Sequence, residues 1–114
     1  MLLHAGIPWM KETGIMSKYF RNVFIDMAWD HIISPEMSIE ALKTWIDMVP
    51  RNKIFGFGGD YTVVEKVYGH LHMAKENIAK ALAAKIESGS MTETDAHGWI
   101  KDMLYNNPCE FYKI

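Results

Sequence analysis

Apolar positions along this chain follow two different periods. Short apolar or alternating runs at Leu2–Ala5, Val23–Ala28 and Lys53–Gly58 read as strands. Between and after them, apolar residues recur every three or four positions, as on one face of a helix. The first helical pattern starts with Pro8 at its first position and runs to about Phe20 through Met10, Met16 and Tyr19, weakened by Gly14. Ser34-Pro35 opens the second by capping chemistry; Ile39, Leu42, Trp45, Ile46 and Val49 form its stripe, and Pro50 ends it. A third helix is expected from about Thr62 to Glu87, with Val64, Val67, Leu71, Ala74, Ile78, Ala81 and Leu82 on one face and Gly89 as its stop. Thr92 with Asp95 three residues on reads as a capping-box variant. It starts a helix to about Tyr105, halted by Asn106-Asn107-Pro108, before a last turn over Glu110–Tyr112.

Strands alternating with helices predict an α/β fold, with parallel strands joined by right-handed crossovers. Three parallel strands alone bury little and leave two edges open. An eight-unit barrel takes about 250 residues, so three units take roughly 95. Adding a terminal helix approaches the 114 residues present. The expectation is therefore the last three β/α units of a (β/α)8 TIM barrel plus a C-terminal helix. Residues 1–114 would form a single partial domain, and the opening on a strand would mark a piece of something larger.

Composition narrows the partners. Hydrophobic residues make up 49% of the chain, enough for a core, and the net charge of −2 offers no basic face for nucleic acid. No apolar run approaches the ~20 residues that span a bilayer, and Met1-Leu2-Leu3 lacks a basic leader. The one cysteine, Cys109, makes no internal disulfide, so cytoplasm is the expected compartment.

Candidate chemistry gathers at the predicted strand ends. In Ile54-Phe55-Gly56-Phe57-Gly58-Gly59-Asp60-Tyr61, period-two reading puts Ile54, Gly56, Gly58 and Asp60 on one face. Phe55 and Phe57, on the other, are suited to packing under helices; the glycine face would line an open lumen with Asp60 at its rim. Asp60 can bind a metal, act as a base, or cap the following helix. His4, at the end of the first strand, can offer an imidazole to a divalent metal or bond to backbone. Asp26, inside an apolar strand, needs a cation, a donor or solvent. In Trp29-Asp30-His31, His31 can bond a substrate oxygen, Trp29 can wall a pocket or simply pack, and Asp30 can orient either. His70-Leu71-His72 has His-x-His spacing, but on a helix its members point ~200° apart. Both, like His97, read as helix-surface or interface histidines.

These residues together resemble the C-terminal part of the amidohydrolase superfamily of metal-dependent barrel hydrolases, closest to its amidohydrolase-related and uronate-isomerase-like branches. Leu3-His4-Ala5-Gly6 is similar to that family's sixth-strand His-x-Gly element, Asn22-Val23-Phe24-Ile25-Asp26 to its seventh strand, and Gly58-Gly59-Asp60-Tyr61 to its eighth-strand Gly-Ser-Asp-type element. Asn77-Ile78-Ala79 and the stretch from Asn107-Pro108 to Tyr112 are similar to its closing elements. The resemblance implies a metal-dependent hydrolase, decarboxylase or uronate-isomerase-like enzyme acting on a small polar substrate. Asp60 would bind a divalent metal (zinc, or manganese or another) and serve as base on bound water; His4 would contact metal or substrate. Asp30, His31 and Trp29 would shape the substrate pocket. The family's first-strand His-x-His and its fourth- and fifth-strand ligands have no counterpart here. The chain alone is thus expected to hold an incomplete site and to be inactive. Its expected partners are an N-terminal barrel portion or further copies of itself. The alternative is a non-catalytic α/β module stabilised by oligomerisation or a partner chain.

Overall fold

The structure is a computed structural model that describes residues 1–114. Most of the chain is helical: α1 Met10–Tyr19, α2 Asp30–Ile33, α3 Pro35–Met48, α4 Lys66–Glu87, α5 Glu93–Lys101 and α6 Asn107–Tyr112. Two parallel strands, β1 Ile25–Asp26 and β2 Ile54–Phe55, pair in the register Ile25↔Ile54. Leu2 adds one isolated parallel bridge to Ile25.

The expectation of three β/α units of a TIM barrel is corrected by these facts. The first predicted strand is a single bridge, because His4 and Ala5 turn into left-handed backbone at φ 57° and 54°. The second and third shrink to two residues each. The far edge of β2 is closed to any further strand by the chain's own end. Asn107 Nδ2 donates to the carbonyls of Ile54 and Arg51, both at 2.8 Å, and Gly56 N–H donates to Met103 O at 3.0 Å. Phe111 and Tyr112 then cover the Phe55 face, their rings 5.3 and 6.3 Å from it.

The expected lumen face is also filled. A Cβ on Gly56 would come within 3.1 Å of Ile78 Cδ1 and of Met103 Cβ, so this face packs on helices. Ile25, Met27 and Ile54 join Leu42 and Trp45 of α3 and Ile78, Ala81 and Leu82 of α4 in one buried cluster. Trp45 is fully buried and its Nε1–H donates to Met10 O at 2.9 Å, tying α3 to α1. Gly14, which weakens α1 as a helix, is required there: a Cβ would sit 2.2 Å from Met48 Cε and 2.7 Å from Trp45 Cδ1. Lys53, although charged, is buried beside this cluster. Its Nζ closes the end of α1 by donating to Ser17 O and Phe20 O, both at 2.7 Å.

Helix ends follow local chemistry with instructive exceptions. Ser34 caps α3 by accepting from Met37 N–H at 3.3 Å, and Thr92 and Asp95 form the reciprocal capping box of α5. Pro8 stands outside α1, which begins at Met10. Asn106-Asn107-Pro108 does not break the last helix. A π-helical stretch over Asp102–Asn106 runs directly into α6, where Pro108 occupies a first-turn position needing no donor. No helix is long and apolar enough to cross a membrane.

Candidate functional site

The carboxyl ends of the three extended segments lie side by side, stitched by backbone. Met27 N–H donates to Phe55 O and Trp29 N–H to Gly58 O, each at 3.0 Å. His4 crosses over them, its Nδ1 2.8 Å from Ala28 O. A carbonyl only accepts, so Nδ1 carries a proton and Nε2 is the free end of the ring. That end meets Asp60 Oδ2 at 3.3 Å. With Nδ1 committed, the contact is attractive only when one further proton lies between imidazole and carboxylate. The pair is open to solvent, with side-chain exposures of 37% for His4 and 59% for Asp60. The ring of Trp29, itself 45% exposed, stands edge-on to His4 at 6.3 Å.

Backbone strain concentrates at this end of the molecule. His4, Ala5, Trp29 and Asp60 all have positive φ (57°, 54°, 63° and 49°), and the one other such non-glycine residue is Lys113 near the C-terminus. Left-handed backbone at a non-glycine residue costs about 1–3 kcal/mol and gathers where structure serves function. The close approach of the two segments depends on Gly58, where a Cβ would come within 2.8 Å of Ala28 Cβ.

Beneath the pair lies a buried polar layer. Asp26 Oδ1 accepts from Ala28 N–H at 2.9 Å and forms no ion pair; burial raises its pKa, against the pull of that bond and of His4. Asp30 is wholly buried. Its Oδ2 accepts from Ser38 Oγ at 2.9 Å while Oδ1 has no partner, and burial pushes its pKa up to about 6. His31, also wholly buried, places Nε2 2.9 Å from Gly56 O and Nδ1 3.2 Å from Asn77 Nδ2. Those bonds assign the proton to Nε2, and burial lowers the ring's pKa. His4, Trp29 and Asp60 are thus brought together at the surface, with Asp30 and His31 in the layer that supports them.

One member of that layer departs from expectation. His70, read as a helix-surface or interface histidine, is 3% exposed and neither of its nitrogens has a hydrogen-bond partner. A signal was present: 70, 74, 77, 78 and 81 follow helical spacing and all are buried. His72 and His97 are exposed, each facing a glutamate one turn away in the helix.

The pair does not by itself fit a catalytic metal, which needs three protein ligands. No group of three or more His, Cys, Asp or Glu side chains converges anywhere in the chain. The expectation of a metal-binding hydrolase barrel carried by these residues is corrected accordingly: neither the barrel nor a complete metal centre is present.

No family model matches the chain, and no solved structure matches it. Protein fluG from Emericella nidulans is similar at 19% identity over 115 residues. That alignment takes in 100% of this chain and 13% of the fungal protein, so the chain spans a small part of its relative's length.

Proposed function

We propose that this chain supplies part of the active site of an amidohydrolase-like enzyme acting on a small polar substrate, and that it is inactive alone. The observation that carries the reading is the meeting of His4 Nε2 and Asp60 Oδ2 at 3.3 Å. Two residues far apart in sequence, each on left-handed backbone, meet at the end of the strand layer. In this reading Asp60 takes a proton from a water or substrate hydroxyl, and His4 shares it through Nε2. Trp29 walls the open side, while Asp30 and His31 hold the supporting loop. Other polypeptide, joined to this chain or bound to it, completes the site. A divalent metal such as zinc or manganese would belong to that completed site, with further ligands from outside these residues. The reaction class is hydrolysis or decarboxylation, and the single thiol of Cys109 favours the cytoplasm.

The test uses the protein from its native source, with whatever polypeptide it is joined to or bound by. It is expected to turn over members of a panel of small amides, lactones and β-keto acids. Asp60→Asn is expected to lower kcat/KM about 10²–10⁴-fold. The chain alone should stay silent and take up no stoichiometric zinc in equilibrium dialysis. Full activity in Asp60→Asn, or stoichiometric zinc on the isolated monomer, ends the reading.

A second reading, a non-catalytic module held by self-association or a partner chain, draws on large apolar side chains left outside. Trp9 is 65% exposed, Tyr19 73% and Tyr68 86%. Sedimentation separates the two: this module associates stably without any catalytic partner.

A further inference from the structure

His70 is the buried titratable group that the proposed chemistry leaves unused. It projects from the first turns of α4 into a box of rings: Phe57 at 4.9 Å, Tyr61 at 5.8 Å and His31 at 6.1 Å between centroids. Phe57 and Tyr61 belong to the irregular segment between β2 and α4, the segment that carries Asp60. His70 is therefore the floor on which that segment rests. No ion pair in the molecule includes His70, and both its nitrogens and the Tyr61 hydroxyl are buried without partners.

We infer that His70 is a pH-sensitive latch on the Phe57–Tyr61 segment, holding Asp60 against His4 while its ring is neutral and releasing it when the ring takes a proton from water. The neutral ring packs as a flat, nearly apolar body between Phe57 and Tyr61. An imidazolium in the same box would have two donors and no carboxylate, only an unpartnered hydroxyl and a second imidazole whose nitrogens are already engaged. The only route to hydration is for the covering segment to lift. No hydrogen bond anchors the Tyr61 hydroxyl, and the neighbours of His70 at Tyr68 and Gly69 are already exposed, so the opening is local.

The groups facing His70 from the packed elements fix the sign. His31 of α2 faces it as a neutral ring, secured by Gly56 O and Asn77; a proton there would add to the repulsion. Asp30, beside His31, bonds Ser38 and does not reach His70. Burial lowers the pKa of His70, so the closed form resists protonation while the open form titrates normally. Stability of the closed segment is then complete above the open-state pKa of about 6.5 and is lost as pH falls. While the closed ring stays neutral, opening rises about tenfold per pH unit below that point.

This latch regulates the site proposed above and rests on that reading only for its purpose; the experiment reads the segment itself, without activity. Amide exchange over residues 57–65 is followed from pH 7.5 to 5.5 and corrected for intrinsic rates. Its opening should rise about tenfold across this range in the wild type. His70→Leu, close in volume and unable to titrate, should abolish that rise and leave the helices unchanged; His70→Phe serves if the leucine variant fails to fold. The imidazole resonances of the wild type give a second measurement, expected to titrate below the ordinary histidine range. Equal pH dependence in wild type and variant overturns the latch, as does ordinary titration of His70 with the segment still closed.

Discussion

Burial makes the carboxyl of Asp30 costly to ionise. Wholly buried and with one oxygen unpartnered, it has a pKa raised by burial to about 6. The folded state therefore binds a proton that the unfolded state, with its ordinary pKa of 3.8, releases. Stability falls as pH climbs through that window, by up to about 3 kcal/mol in all. Asp30→Asn keeps an acceptor for Ser38 and cannot ionise. Urea unfolding at pH 4 and pH 8 is expected to show the variant gaining up to this amount over the wild type between the two conditions, whatever offset the new amide brings. Parallel pH curves would show that Asp30 ionises in the fold as readily as in the unfolded chain, and would overturn the raised pKa. His4 and Asp60 stand out in the sequence because each follows an apolar run close to a glycine. The one sign of the burial of His70 was its helical spacing with Ala74, Asn77, Ile78 and Ala81; the rings that enclose it come from the segment before the helix, which that spacing does not report.

The helices were largely legible and the strands were not, for a physical reason. A helix satisfies its own backbone, so α3 follows from its Ser34 cap and apolar stripe alone. A strand needs a neighbour, and Leu2, β1 and β2 have only one another; six-residue apolar runs collapse to pairs where the partners turn away. The glycines of Ile54–Tyr61 also allowed two meanings. Gly56 and Gly58 prove to be places where a side chain or a neighbouring segment comes close. The end of the chain takes the role expected of further strands. Asn107→Ala would strip the carbonyls of Ile54 and Arg51 of their donor. A loss of about 1–3 kcal/mol is expected in chemical denaturation, with fraying of α6 seen by amide exchange. Unchanged stability would mean that water reaches the β2 edge freely.

The whole molecule hangs on a thin core. Trp45 sits at the centre, touching both the helix packing at Gly14 and the carbonyl of Met10. Removing it as Trp45→Ala is expected to cost about 3–5 kcal/mol, against a total of about 5–15 for a domain. Thermal melting should then fall by more than ten degrees, or cooperativity should vanish; a small shift would place the centre of stability elsewhere. The two sides of the strand layer are meanwhile unequal. Beyond β2 the backbone is bonded to the chain's own last helices, while Leu2 turns both backbone groups toward β1 and its neighbour Leu3 is 51% exposed. Such a layer can grow in one direction only. A further strand would find free backbone partners only along the Leu2 flank, because at β2 the carbonyl of Ile54 and the N–H of Gly56 are already taken by the chain's own last helices.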